Sequence, residues 1–360
     1  MIKCKPRVVE VHGAGPIGLT CAKILSDCGW SVSLFGEPLA ISRPIALPAH
    51  TIGLIQKIWG EPITSLCESY PLESRLVAWS GIRSDCVEVS GVSIDTADLC
   101  SGLFRRLSGV KCADIGMSDP ESYVIQASGS PKSNSNLFAG ERQLRMWKDV
   151  PSRLFDYRHA EILTGSGFWM FLLPTGKSKM SVQIASPNDH MDVDRISKRL
   201  TQAVPNSLSH SLIDLISDLT KSTSTKVGIA PKFGSSPASA IHLAAGDRAI
   251  TFDPVSGDGT GQGIRSAVLS TAALNSLHSG QPSEPILQHI SMRYAFAMKS
   301  HLQHCLEYYQ SIIDPEPWVS EVKSMKKCLY DLPMRKEPPE TNLRLTYDNY
   351  LGPQILPAQI

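Results

Sequence analysis

Several features are missing from this chain, and each absence removes a class of function. The nine cysteines never fall in a C-x-x-C pair or another paired metal spacing, so neither a zinc ribbon nor a dithiol redox motif is present. Scattered cysteines suit a reducing compartment, and a cytoplasmic location is the expectation. None of the ten histidines has a partner at metal or triad spacing. His12 beside the first glycine turn and His50 at a helix start therefore receive no chemistry, and no metal is expected. No apolar run approaches the ~20 residues of a membrane span. A first strand beginning near Arg7 leaves no room for a signal peptide. Neither sign of charge is in excess: 35 Lys and Arg against 34 Asp and Glu give a net charge of +1. Nothing there attracts nucleic acid or an anionic membrane globally. The pairs Arg105-Arg106 and Lys326-Lys327 read as solvated helix faces. Internal repeats are absent. What remains is 360 residues, 42% hydrophobic and 19% charged, enough for one large or two closely packed globular domains.

Against that plain background, Arg7-Val-Val-Glu-Val-His-Gly13-Ala-Gly15-Pro16-Ile17-Gly18 stands out as an apolar strand running into G-x-G-x-x-G and a helix. Gly13 permits the tight turn, Gly15 lets backbone approach a pyrophosphate, and Gly18 lets the helix lie close on the sheet. Ile17, Cys21, Ile24, Leu25 and Cys28 recur at helical steps, so that helix has one inward face. Its N-terminus presents free N–H groups to an anionic phosphate. A second strand, Val32 to Phe35, leads to Glu37, where an acid can accept hydrogen bonds from a ribose. An acid at that place disfavours a 2′-phosphate, so FAD or NAD fits better than NADP.

Farther along, a helix is predicted from His50 to Trp59, and strands over Arg75 to Trp79 and Val87 to Ile94. Asp95 can cap a helix carrying Leu99, Leu103, Phe104 and Leu107. Tyr123 to Gln126 is a short strand ending at Ala127-Ser128-Gly129, and 130–135 is a polar loop or domain crossing. Phe168 to Leu173 and Met180 to Ile184 flank Pro174-Thr-Gly-Lys as a hairpin. Leu208, Leu212, Leu215, Ile216 and Leu219 mark an amphipathic helix. Ile241 to Ala244 is a strand, Leu287 to Tyr309 is helical, and the Pro-rich tail after Pro333 is extended or wraps the body.

Gly246 to Gly263 is the other decisive stretch, with five glycines in eighteen residues. A strand delivers Asp247, whose carboxylate can meet a ribityl hydroxyl. The glycine-dense loop then leads to a helix at about Ile264, with N–H groups turned to a ring edge or phosphate. Two such turns, far apart in sequence, suit the two ends of one long dinucleotide.

These motifs together resemble the flavin-dependent aromatic hydroxylase and tryptophan halogenase superfamily, from Val8 to about Tyr309. Ile94-Asp95 opening a helix and Val124-Ile-Gln-Ala-Ser-Gly129 add to the resemblance. It implies an α/β fold: a Rossmann-like FAD-binding domain, an inserted β-sheet substrate domain and C-terminal helices. The corresponding expected boundaries are 1–70, 95–130 and 240–280 for the first, 71–94 and 131–239 for the second, and 281–360 for the third. Carried over, Gly13, Gly15, Pro16, Ile17, Gly18 and Glu37 would hold the adenosine diphosphate end of FAD. Gly246, Asp247, Pro254, Gly257, Asp258, Gly259, Thr260 and Gly261 would hold the ribityl and flavin end, with Arg43 as a further contact.

Departures from the family pattern narrow the activity. Phe168-Trp169-Met-Phe171-Leu-Leu173-Pro174 keeps one Trp of the halogenase W-x-W-x-I-P element, with Phe171 for the other. The catalytic lysine of halogenases, four residues before a Trp, is matched by Arg75 ahead of Trp79. Arginine stays protonated and cannot act as a tunable amine, which disfavours halogenation. Gln126 to Gly129 lacks the acid that hydroxylases use near NADPH, and no second nucleotide fold is evident, so the reductant is unidentified. The length and D-P-x-S-G-D-G-T-G are most similar to the flavoprotein maturases of cysteine tryptophylquinone oxidases. That similarity implies O₂-dependent hydroxylation of a tryptophan in a precursor amino-acid oxidase polypeptide. Trp79, Trp169 and Phe171 are candidate walls of the substrate pocket, and Arg75 a candidate donor to an oxygen intermediate or substrate carbonyl; core packing and a surface salt bridge are the competing readings. Trp318 would suit a partner interface. The alternatives are a non-halogenating small-molecule hydroxylase, an NAD-dependent dehydrogenase or flavin reductase, and a flavin-binding chaperone of an immature oxidase.

Overall fold

The computed structural model describes residues 7–79, 82–113, 122–129, 137–151, 158–165, 167–187, 219, 223–234, 239, 241–312, 315–333, 343–348 and 352–357. The chain begins with β1 (Val8–Ala14), α1 (Pro16–Asp27), β2 (Ser31–Pro38), β3 (Pro44–Pro48), α2 (Ala49–Trp59) and α3 (Ile63–Leu66). There follow β4 (Ser69–Trp79), β5 (Ile82–Asp95), α4 (Thr96–Arg106), β6 (Val110–Ala113), β7 (Tyr123–Gln126) and β8 (Leu137–Phe138). The middle holds β9 (Gln143–Pro151), β10 (His159–Gly165), β11 (Phe168–Gly176), β12 (Lys179–Ser186), β13 (Thr225–Gly228), β14 (Lys232–Phe233), β15 (His242–Ala244) and β16 (Ile250–Thr251). The last elements are α5 (Gly259–His278), α6 (Ser283–Gln310), α7 (Val319–Asp331), β17 (Leu343–Asp348) and β18 (Gly352–Pro357).

A five-stranded parallel sheet in the order β15-β7-β1-β2-β6 carries the first glycine turn at the C-terminal end of its central strand. Val9 and Val11 are fully buried in β1, and Leu19, Cys21 and Leu25 turn the inner face of α1 to the same core. Burying such apolar side chains stabilises the layer by about 1.5–3 kcal/mol each. An eight-stranded sheet runs β13-β9-β12-β11-β10-β4-β5-β3. It is antiparallel except where β10 lies parallel to β4. Its far face is packed by Trp147, Phe168, Met170, Leu172, Val182 and Ile184. The other face joins the main core through Trp169, Ala185 and Leu144. Asp95 caps α4 by accepting from Ala97 N–H at 2.8 Å.

Several expectations are revised. The hairpin after Phe168 turns at Lys177-Ser178 rather than at Pro174, because Pro174 still pairs with Met180 and Gly176 with Lys179. Strand β3, not predicted from the sequence, pairs antiparallel with β5 and closes an edge of the larger sheet. Residue 241 precedes β15 instead of belonging to it. The tail forms a regular hairpin, β17 with β18, which docks on α5: Asn275 Nδ2 donates to the Pro353 carbonyl at 2.9 Å and Ile355 N–H to Ser276 Oγ at 2.8 Å. The helix expected over Leu208 to Leu219 and the loop at 130–135 lie outside the described residues, apart from Leu219, which is buried against the far face of the larger sheet. Among the described residues no helix is long and apolar enough to cross a membrane.

Candidate functional site

The first glycine turn divides its labour by crowding. Gly13 has φ +119°, a conformation that side-chain-bearing residues rarely adopt. A Cβ on Gly18 would overlap the Gly13 carbonyl oxygen, so helix and strand touch there backbone to backbone. Gly15 differs: no atom lies within 4 Å of where its Cβ would stand. That glycine faces open space at the start of α1, whose first turn has Pro16 but neither a side-chain cap nor an acid. Uncapped N–H groups at a helix start favour an anion. Glu37 is exposed near the end of β2, and Pro38 pairs with Ala14 of the turn.

The second glycine stretch repeats this pattern. Helix α5 begins at Gly259, five residues ahead of the expected Ile264. Gly261 and Gly263 lie inside the helix, and their neighbours leave no room for side chains. A Cβ on Gly261 would overlap Asp258 Oδ1 and Thr51 Oγ1, and one on Gly263 would come 2.5 Å from Ile17 Cδ1. Gly259, like Gly15, has nothing within 4 Å, and α5 also starts without a side-chain cap. Ile17 is the hinge pin of the arrangement. Its side chain lies 3.0 Å from the Cβ position of Gly246 as well as against Gly263, so the two remote glycine motifs meet at one residue.

Charged groups surround the second turn. Asp258 is held by the protein itself, through His50 Nε2 at 3.2 Å, Thr51 Oγ1 at 3.2 Å and Arg265. It therefore fixes the loop against α2. Asp247 is exposed to solvent yet crowded by surrounding protein, as on the floor of a cleft. Desolvation raises its pKa, and the charges of Arg43 and Lys232 oppose that rise. Arg43 is pinned by α4: its N–H donates to Thr96 Oγ1 at 3.1 Å, and its carbonyl accepts from Thr96 N–H at 3.0 Å. The buried Nε of Arg43 has no partner, and neither does the buried Nε of Arg75. Pro254 starts a short 3-10 turn ending at Gly257 with φ +68°, where a Cβ would stand 3.8 Å from Arg75 Nη1. Thr260 lies in the first turn of α5.

The four residues expected in a substrate pocket share one face of the larger sheet. Strand register places Arg75 two residues from Val77, opposite which lie Ile162, Phe171 and then Gln183. Trp169 pairs with Thr164 in the next row, and Trp79, at the end of β4, pairs with Ile82 of β5. Their surroundings differ. Trp169 is 2% exposed and gives its indole N–H to Tyr309 Oη at 3.0 Å, so it belongs to the core. Trp79 donates to the Tyr308 carbonyl at 2.9 Å and meets the Tyr308 ring edge-on. Phe171 stays half-buried. Trp318 is 0% exposed and packs on Tyr309 with the rings tilted at 32° and their centroids 4.6 Å apart, which corrects its reading as a surface residue for a partner.

Beneath the second turn lies an ion network without an obvious sequence signature. Fully buried Arg142 donates from Nε to Asp253 at 2.5 Å and from Nη1 to Glu321 and the Ala139 carbonyl, each at 2.7 Å. Tyr309 Oη donates to the same Asp253 oxygen at 2.9 Å. Burial works against the Arg142 charge, and Asp253, Tyr309 and Glu321 more than reverse it. His301 accepts from Asp253 N–H at 2.8 Å. Burial pushes its pKa down to about 4, so it is neutral. Among the described residues no group of three or more His, Cys, Asp or Glu could hold a metal ion.

No protein-family model matches this sequence, and no curated protein matches it. Solved structures do. The peptidyl tryptophan dihydroxylase QhpG, described as essential for tryptophylquinone cofactor biogenesis, superposes with TM-score 0.65 at 15% identity, over 98% of this chain and 86% of its own. PqsL, a probable FAD-dependent monooxygenase from Pseudomonas aeruginosa, gives TM-score 0.68 at 13% identity, over 88% and 99%. The flavin-dependent halogenase CmlS gives 0.67 at 15% identity, over 92% and 68%. The fold is that of the FAD-dependent monooxygenases. Arg142 and Lys232 escaped sequence reasoning, since neither belongs to a periodic or spaced motif. Asp253 sat in the quoted stretch, where an acid before proline gave the only available signal.

Proposed function

We propose that this protein is an FAD-dependent monooxygenase that inserts oxygen into an electron-rich aromatic ring. The observation carrying this reading is the meeting of both glycine turns at Ile17, with an open glycine, Gly15 or Gly259, at each uncapped helix start. The residues present fit the cofactor. Gly13, Gly15 and the N–H groups of α1 would take the pyrophosphate, and Glu37 the ribose of the adenosine. Arg43 and Asp247 would contact the middle of the dinucleotide, where the orphaned Arg43 Nε gains an acceptor. The backbone from Pro254 to Gly259 would line the flavin end. FAD, when bound and reduced by an external two-electron donor, would activate O₂ so that one oxygen atom goes to the ring and the other leaves as water. The chain's own task is to hold the ring in place and keep water out, with the face bearing Val77, Ile162 and Phe171 as the substrate wall.

For the substrate, the resemblance to cysteine tryptophylquinone maturases and the structural likeness to QhpG support a tryptophan in a partner oxidase precursor. A small aromatic compound is the second reading, favoured by the unpaired Arg75. A halogenase is disfavoured by arginine in place of a tunable amine. An absorbance spectrum of purified protein, before and after added FAD, tests the cofactor. Protein that stays colourless and takes up no FAD ends the proposal. Intact-mass measurement of co-expressed candidate precursors then separates the substrates, since a peptidyl hydroxylase adds one or more oxygen atoms to the partner, whereas a chaperone leaves its mass unchanged.

A further inference from the structure

We propose that Arg75 is the anion receptor of the substrate cleft, and that the ring this enzyme oxidises carries a carboxylate. The inference rests on the monooxygenase reading and takes the small aromatic substrate of the second reading, since a tryptophan side chain within a polypeptide carries no carboxylate on its ring. Arg75 shares a buried, unpartnered Nε with Arg43, the residue proposed to meet the middle of FAD, and differs from four arginines that are paired with carboxylates. Arg106, Arg158 and Arg265 each hold a carboxylate, and Arg142 holds two. Arg75 has no hydrogen bond or ion pair among the described residues, and its Nε is buried without an acceptor.

The nearby groups do not supply the missing anion. Asp258 is committed to His50, Thr51 and Arg265. Asp247 faces Arg43 and Lys232. Helix α5 adds the positive end of its dipole at Gly259, with no acid in its first turn. The floor beside Arg75 is apolar. Val77, Ile162 and Phe171 form one cross-strand row in the middle of the sheet, yet all three stay half-exposed. The row on one side of them holds Trp169, packed in the core, and the row on the other holds fully buried Leu173. A half-exposed apolar platform inside a sheet face, flanked by an unpaired cation, matches a flat ring bearing an oxyanion. The competing partner for that cation is the pyrimidine carbonyl edge of the flavin, and the test separates the two.

Wild-type, Arg75→Gln and Arg75→Lys proteins loaded with FAD would be titrated with indole-3-acetate, 2-aminobenzoate and 4-hydroxybenzoate. The matching amides serve as neutral controls, and binding is read from the perturbed flavin absorbance. The expectation is that wild type prefers at least one acid over its amide by tenfold or more. Arg75→Gln should weaken that acid about 30-fold and the amide less than threefold. Arg75→Lys should keep part of the preference, and FAD affinity should stay within threefold in both variants. Acids and amides binding alike in wild type, or no acid binding at all, would overturn the proposal. So would a tenfold loss of FAD affinity in Arg75→Gln with the acid preference intact, which would assign the cation to the flavin. A wild-type protein that takes up no FAD would instead sink the monooxygenase reading itself.

Discussion

Replacing Arg142 by Met isolates the energetic role of the buried network. The arginine is 0% exposed and the only cation donating to both Asp253 and Glu321 among the described residues. Met fills most of its volume without charge, so the substitution strands two carboxylates away from water. Breaking a buried ion pair from one side costs about 3–5 kcal/mol, against a total stability of about 5–15 kcal/mol for a typical protein. The greater part of that loss is uncompensated charge rather than lost attraction. Adding Asp253→Asn and Glu321→Gln should therefore restore at least half of it, because neutral groups of the same shape carry a far smaller desolvation penalty. Urea unfolding of the FAD-free proteins at pH 7.5 gives both quantities. A single variant losing under about 1 kcal/mol, or a triple variant no more stable than the single one, would show that the network is not the strained charge cluster its geometry implies.

Two further outcomes are expected. Gly15→Ala should leave the unfolding free energy of FAD-free protein within about 0.5 kcal/mol while weakening FAD binding at least tenfold, whereas Gly18→Ala should cost about 3 kcal/mol or more through overpacking; equal effects of both on stability would refute the division between open and crowded glycines. For His301, depression of the pKa from 6.5 to about 4 means that the unfolded chain binds a proton the folded chain refuses. Its contribution is thus fully present above pH 6.5 and is lost as pH falls toward 4, by about 3 kcal/mol. His301→Gln, which keeps an acceptor for Asp253 N–H, should flatten that part of the stability profile between pH 7 and 4.5, and an unchanged slope would contradict the assignment.

The parts of the fold legible from sequence are those whose cause is local. Gly13, Gly15 and Gly18 announce the first turn because backbone conformation and Cβ clearance are decided within a few residues. Asp95 announces α4 for the same reason, as the acceptor for an N–H two residues on. Strand β3 was hidden because Pro44 and Pro48 at its ends suggest a loop, and only its edge position against β5 accommodates them. Trp318 follows Glu316 and Pro315 in a polar stretch, so its burial depends on α6 bringing Tyr309 over it. Arg142 is the extreme case: its partners lie 111 and 179 positions away, and no periodicity reports a pairing at that range.

The same distinction bears on the site. Glycine has two uses here that look identical in sequence. Gly18, Gly261 and Gly263 are glycine because protein already fills the Cβ position, while Gly15 and Gly259 are glycine beside empty space. The first group sets the distance between strand and helix, or between α5 and Ile17. The second group, like Gly53 and Gly228, has no steric reason within the chain to lack a side chain, and at the two helix starts the proposed cofactor, approaching the backbone, would supply one. Ile17 then fixes how the two open positions stand relative to each other, since it packs on Gly246 and Gly263 at once. The proposed FAD would bring one of its ends to each of these two open helix starts.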